Sequence, residues 1–425
     1  MGEPVYFLNL EIENYRCFRD KQVLDLSDGE GNWKKWTVIL GDNGTGKTSL
    51  LEILAGAEVE EDRFSTGETT YVPKIVPYAN VNFDIPKDGM CLITLIIVGS
   101  DKNKSMEKIE YVFEGQLASV NLLSPKTKEL KCFGYGANRK MNFGGLSKLL
   151  NNNSETLFDE DAKLINAEEW LLQLDYAASK DSPVQIFAIE KRDQVKQILI
   201  DLLPDIGDVR FTEPTKENLK STVEFETSFG WVSIQQLSLG YKTMVTWMVD
   251  LAARMFERYP DSPSPLAEPA IVLVDEIDLH LHPKWQRKIF DYLSDKFPQT
   301  QFIVTAHSPL IVQSAPKDAN IVLLRKDGDQ VVIDNDIKSV QNWRIDQILT
   351  SDLFGIESAR GKETEQKLEE RKQLLSKDNL TKEEKARLKE LNSFANRLPV
   401  AYNHDEIEAM NIVQEAAEYL KKQKE

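Results

Sequence analysis

Along this chain, apolar residues come in unbroken runs of strand length at 36–40 and 270–274, and again inside the stretch 301–308. Runs this short, rich in Val and Ile and bounded by polar residues, predict central strands of a parallel sheet covered on both faces. Residues 8–18 alternate apolar and polar, as a half-buried strand does. The segment 61–145 carries further strand patterns at 81–85, 91–98 and 108–113 and predicts an antiparallel lobe. Helical spacing appears at 49–54, 167–174 and 192–199, and in a long stretch through Met244, Trp247 and Leu251. A hairpin is expected from 225–227 and 231–233, and the Pro-rich segment 260–265 forms a loop no helix can cross. Beyond residue 345 the pattern becomes charged and helical at 363–375 and 382–394. Thr381 and Glu384 form a capping box, and an apolar stripe from Ile407 to Leu420 marks a third helix over 405–422.

The chemistry is concentrated where these elements meet. Between the strand at 36–40 and the helix at 49–54 lies Gly41-Asp42-Asn43-Gly44-Thr45-Gly46-Lys47-Thr48, which fills every fixed position of GxxxxGK[ST]. Glycines let the backbone turn its N–H groups toward an anion, Lys47 supplies a cation for β- and γ-phosphates, and the Thr48 hydroxyl can ligate Mg²⁺. Residues 42–49, Ser49 included, are therefore the predicted nucleotide-binding segment. The strand at 270–274 ends in Asp275-Glu276. Asp275 is expected to hold Mg²⁺ with Thr48, and Glu276 to polarise the attacking water, with Lys47 beside it in the catalytic set.

Gln235-Gln236-Leu237-Ser238-Leu239-Gly240 lies about one helix ahead of the acidic strand and resembles the signature motif of ABC-type ATPases. That resemblance implies that Ser238 and Gly240 touch the γ-phosphate of ATP bound to a second subunit, and that His307 is a switch histidine. It also implies a loop at 277–283 facing the partner. His280 and His282 stand two apart there, with no further Cys or His nearby to suggest a metal site. The opening strand and Arg16 resemble SMC-like and RecF-like ATPases, a class in which the aromatic and Arg after that strand lie near nucleotide or DNA. Residues 133–140 resemble a YGxxR segment near the position of the Q-loop, although no glutamine stands at its centre.

The implied fold is α/β, an ABC-type P-loop ATPase head with a mixed sheet, flanking helices and an antiparallel β lobe. The head spans 1–345, with the β-rich lobe at 61–145 and a mainly helical insertion at 151–225, and a C-terminal helical region follows at 346–425. Segments 157–172 and 352–358 are similar to those of PtuA-like ATPases of Septu and retron-associated anti-phage systems. This implies a homodimer or higher homo-oligomer working with a partner nuclease, of HNH type in first place and of Toprim type as the alternative, with DNA or RNA reached through the complex. A RecF-like repair or recombination ATPase and a nucleotide-locked scaffold with little turnover are the alternatives. No nuclease motif stands in the chain itself.

Composition narrows the setting. At 425 residues the chain can bury a large core. Its net charge of −17 opposes nonspecific coating of nucleic acid. Arg139 with Lys140, and Lys284 with Arg287 and Lys288, are candidate local basic patches or else solvated helix faces. Cys17, Cys91 and Cys132 are too few and scattered for a disulfide frame. No membrane span or signal peptide is read in the sequence, and a cytoplasmic setting is expected.

Overall fold

The apolar runs fold as parallel strands in the computed structural model, which describes residues 4–63, 69–73, 90–99, 106–114, 117–121, 129–142, 153–203, 205–216, 219–337, 340–356, 358–377 and 380–398. Two units divide the chain, Met1–Phe354 and Gly355–Glu425. The predicted strand at 81–85 and the predicted helix at 405–422 lie outside the described residues.

In the first unit a six-stranded sheet runs in the order Gln330–Asp334, Asn320–Asp327, Trp36–Gly41, Thr300–Thr305, Ala270–Val274 and Cys132–Tyr135. Neighbours are parallel except at the Gln330–Asp334 edge, which returns antiparallel. Side chains alternate across a pleated strand, so each central strand feeds two cores. Val38, Val272, Phe302 and Val304 enter one with the helix Leu239–Arg258, whereas Ile39, Ile271, Leu273 and Ile303 enter the other with the helix Lys47–Gly56. Burial on both faces is why these strands read as unbroken apolar runs.

A second, antiparallel sheet of five strands has the order Gln22–Asp25, Val5–Glu13, Met90–Gly99, Met106–Glu114 and Leu117–Asn121. Its Leu10, Ile93 and Leu95 share a core with Leu50, Leu51, Ile53 and Leu54, so the helix Lys47–Gly56 is held between two sheets. Those four side chains are at most 1% exposed. Each contributes about 1.5–3 kcal/mol by leaving water, which anchors the start of this helix. Two local expectations change. The strand predicted over 8–18 ends at Glu13, because Tyr15 and Phe18 exchange backbone hydrogen bonds of 2.8 Å across a tight turn in which Asn14 and Arg16 have φ of 54° and 49°. The strand Cys132–Tyr135, inside the stretch read as antiparallel lobe, instead completes the edge of the parallel sheet beside Ala270–Val274.

The helices Ala167–Ser179 and Gln185–Leu202 pack together ahead of a small antiparallel sheet, Ile206–Phe211, Val223–Thr227 and Gly230–Ser233. Beyond it runs the helix Leu239–Arg258, buried along most of its length. It carries a charged pair into the core: Arg254 Nε donates to Asp250 Oδ2 at 2.6 Å, with both side chains at most 2% exposed. Tyr135 Oη donates to the same carboxylate oxygen at 3.1 Å, and Arg254 Nη1 donates to Asn153 at 2.7 Å. A buried ion pair is tolerated when its remaining polar atoms are satisfied in this way.

In the second unit the helices Lys362–Leu375 and Lys382–Arg397 form a hairpin. Arg387 bonds both oxygens of Glu370 at 2.8 Å, and the Thr381 to Glu384 capping box forms as expected. Among the described residues no helix is long and apolar enough to cross a membrane.

Candidate nucleotide site

The strand Trp36–Gly41 delivers the chain into a loop whose Gly44 and Gly46 have φ of 77° and 87°, a region L side chains avoid. Gly46 is doubly constrained, since a Cβ there would lie 2.7 Å from Cys17 Sγ and 2.9 Å from the Phe18 ring. It precedes the helix Lys47–Gly56 and provides no side-chain cap, so the first-turn N–H groups are left for another acceptor. A ring of backbone N–H groups on a helix N-terminus is a phosphate cradle. Asp42, Asn43 and Gly44 form its exposed rim, and Thr45 is buried with its hydroxyl donating to Asp42 O at 2.8 Å.

Lys47 is folded back onto its own loop, donating to Gly41 O at 2.7 Å and Asp42 O at 2.8 Å. Burial pushes this ammonium below its ordinary range, while the carboxylates of Asp275, Glu276, Asp42 and Asp278 oppose the shift. Thr48 Oγ1 donates to Asp275 Oδ2 at 2.7 Å. The other oxygen of Asp275 accepts from Thr305 Oγ1 at 2.6 Å, and Thr305 Oγ1 accepts from the Glu276 amide at 2.7 Å. Threonine, carboxylate and backbone thus form one relay from the helix Lys47–Gly56 to the ends of the two neighbouring strands Ala270–Val274 and Thr300–Thr305. Glu276 itself sits at φ 48°, a left-handed conformation that a non-glycine residue keeps only when neighbours hold it.

The donor set fits Mg²⁺ with a nucleoside triphosphate. A hydroxyl and a carboxylate 2.7 Å apart beside an anion cradle match the few protein oxygens that Mg²⁺ takes when phosphates supply others. Among the described residues no three His, Cys, Asp or Glu side chains stand together as an alternative metal centre. His282 Nδ1 caps the short helix Pro283–Gln286 by accepting from Lys284 N, and His280 has φ of 64°.

Other predicted site residues stand apart from this cluster. Ser49 Oγ accepts from Arg16 Nη1 at 2.6 Å, and the same nitrogen reaches Glu52 at 2.6 Å, so this hydroxyl is engaged by the turn at 15–18. His307 is exposed beyond the strand Thr300–Thr305, and its amide donates to the Asp278 carboxylate at 3.2 Å. Ser238 is the exposed N-cap of the helix Leu239–Arg258, with no side-chain cap bond. The relay of Thr48, Asp275 and Thr305 does not reach it. Gly240 lies where a Cβ would meet the His280 carbonyl at 2.4 Å, so the signature segment is pressed against the loop that follows Glu276. Gly240→Ala gains about 0.5–1 kcal/mol of helix propensity but forces this contact apart at about 1–3 kcal/mol, and is expected to destabilise the chain by about 1–2 kcal/mol overall. A urea midpoint at or above that of the parent would show that His280 yields freely.

Two residues at the site escaped the sequence reading. Thr305 reads as one more strand residue, and only the register Val274 to Val304 sets it beside Asp275. Arg139, read within the YGxxR segment and as a candidate basic patch or solvated helix face but given no contact, is 4% exposed and donates to the carbonyls of Gly136, Asp275 and Glu276. Its neighbour Lys140 and the residues Lys284, Arg287 and Lys288 are exposed.

Comparison with known proteins places this geometry in a lineage. The "AAA ATPase domain" family matches residues 7–56, the opening strand through the phosphate loop and its helix. The chain is 25% identical over 364 residues to the Septu protein PtuA of Bacillus mycoides, covering 84% of this chain and 45% of the relative. It is 24% identical to the Septu protein PtuA of Bacillus thuringiensis over 76% of this chain and 79% of that protein. The "Retron Ec83 probable ATPase" of Escherichia coli is 37% identical over 118 residues, 28% of this chain and 21% of its own length. The chain thus spans less than half the length of two of these three relatives. Among solved structures, an Smc head bound to the C-winged helix domain of ScpA aligns with a TM-score of 0.46 and 16% identity, over 77% of this chain and 97% of that one. A further family matches residues 36–313, from the strand that opens the phosphate loop to the helix after His307, so more than half of the chain lies within it. On that match the chain belongs to the AAA family described as "AAA domain, putative AbiEii toxin, Type IV TA system".

Proposed function

We propose that the chain hydrolyses ATP in a site completed by a second copy of itself, and that this cycle controls a partner nuclease in anti-phage defence. The observation that carries the catalytic half is the relay from Thr48 through Asp275 and Thr305 to the Glu276 amide, which joins the expected metal ligands to the expected base. Mg²⁺ would be held by Thr48 and Asp275 and would supply positive charge to the β- and γ-phosphates. That charge adds to Lys47, which already works against burial beside the carboxylates of Asp275, Glu276, Asp42 and Asp278.

On this reading Lys47 gives up two loop carbonyls to meet the phosphates. Glu276 accepts a proton from the attacking water, its backbone fixed so that the carboxylate need not be reoriented during the reaction. His307 reports the γ-phosphate. Ser238 and Gly240 serve the nucleotide of the partner copy, a role supported by the exposure of Ser238 and its separation from the relay. Head-to-tail pairing of two copies satisfies both sites at once.

The defence assignment and the nuclease partner rest on the relatives named Septu protein PtuA and on the retron ATPase. The test is co-expression with the products of adjacent reading frames. A nuclease that co-purifies, together with phage protection lost on Lys47→Ala, is the expected result. Protection that survives Lys47→Ala, or activity stimulated by bare duplex DNA with no protein partner, overturns the defence reading in favour of a repair ATPase.

A further inference from the structure

We propose that Arg139 is the positioning residue of the ATPase site: its buried guanidinium clamps the backbone of Asp275 and Glu276 and so aims the Glu276 carboxylate. The inference rests on the ATPase reading above and gives a role to the arginine of the YGxxR segment, to which the motifs of that reading assign none. Arg139 Nη1 donates to Asp275 O at 2.6 Å and to Gly136 O at 3.1 Å, while Nη2 donates to Glu276 O at 2.9 Å. Two consecutive carbonyls of the acidic motif are thereby tied to the end of the edge strand Cys132–Tyr135.

The Glu276 peptide is held from both sides. Its N–H is taken by Thr305 and its carbonyl by Arg139, so the left-handed φ of 48° is over-determined by two side chains from different parts of the fold. Such a conformation is strained for a residue with a side chain and persists only under restraint of this kind. The acceptors also separate position from stability. Arg254, in the same core, is paired with the Asp250 carboxylate, as a buried cation ordinarily is. Arg139 bonds backbone carbonyls, with the Trp247 ring 5.7 Å away and the carboxylates of Asp275, Glu276 and Asp278 acting at longer range.

A lysine cannot reproduce the clamp. Its single ammonium is a point donor, whereas the planar fork of arginine spans three carbonyls in fixed directions. Arg139→Lys therefore retains the charge and loses the geometry, and Arg139→Gln removes the charge as well.

The experiment compares the full-length parent, Arg139→Lys and Arg139→Gln by amide hydrogen exchange without nucleotide and by steady-state ATP hydrolysis. In Arg139→Lys, exchange over residues 275–281 is expected to rise at least tenfold while the helix Leu239–Arg258 keeps its protection. The same variant should lose about 10- to 100-fold in kcat with KM changed less than threefold, since misplacement of a catalytic group by about 1 Å costs on that order. Unchanged exchange at 275–281, or kcat at the parent level in a folded Arg139→Lys, overturns the proposal. Loss of protection throughout both variants also overturns it, because the guanidinium would then serve the fold at large. If the parent hydrolyses no ATP while local exchange responds as expected, the clamp stands and the ATPase reading falls.

Discussion

Glu276→Gln is expected to retain ATP affinity and to turn over at least a hundredfold more slowly than the parent chain. The substitution keeps the shape of the side chain and leaves its backbone restraints, the Thr305 hydroxyl and the Arg139 guanidinium, untouched. What it removes is a proton acceptor. A positioned general base contributes about 10²–10⁴ in rate, equivalent to about 3–5 kcal/mol of transition-state stabilisation. On the proposed reading ATP binding draws on Lys47 and the loop amides, so the dissociation constant should change less than threefold. A nucleotide that is bound and not cleaved should also lock the shared site, so ATP-dependent dimer accumulates in the variant. Turnover at the parent rate would remove Glu276 from the mechanism.

Ser238→Arg is expected to abolish turnover while leaving ATP binding to the isolated chain intact. Ser238 is exposed and makes no cap bond through its side chain, so the fold loses little. A cation at a helix N-terminus opposes the helix dipole by about 0.3–1 kcal/mol, too little to unfold a domain. The effect on catalysis should be far larger if the residue faces the partner's nucleotide, since the added side chain would fill the place of the phosphates. The decisive measurement mixes Ser238→Arg with Lys47→Ala. Neither variant hydrolyses ATP alone, but a mixed pair contains one site with an intact Lys47 from one copy and an intact Ser238 from the other, and turnover returns. Two dead variants that stay dead when mixed, with dimers demonstrably formed, would refute the shared site.

Much of the fold was legible because its central strands are covered on both faces and therefore read as unbroken apolar runs. The strands at 36–41, 270–274 and 300–305, the helix after the phosphate loop and the hairpin at 223–233 all stand where the patterns put them. Illegible were the pairings that join distant segments. The opening strand lies in the antiparallel sheet beside Met90–Gly99, and Cys132–Tyr135 leaves that lobe for the edge of the parallel sheet. Apolar periodicity states that a strand is buried and is silent on which strand it pairs with.

The candidate site divides along the same line. Sequence alone determined the phosphate loop, the acidic pair and their order along the chain, because those functions need particular residue types at fixed local spacing: glycines where φ is positive, Lys-Thr at a helix start, carboxylates at a strand end. Tertiary structure decided what holds them. Thr305 reaches Asp275 only through the register of two parallel strands, and Arg139 turns from a supposed surface cation into the clamp on Glu276 only because the strand before it closes the sheet edge. A hydrogen bond between residues 30 or 136 positions apart leaves no local trace in sequence, since its geometry is set by sheet order rather than by the chemistry of either neighbourhood.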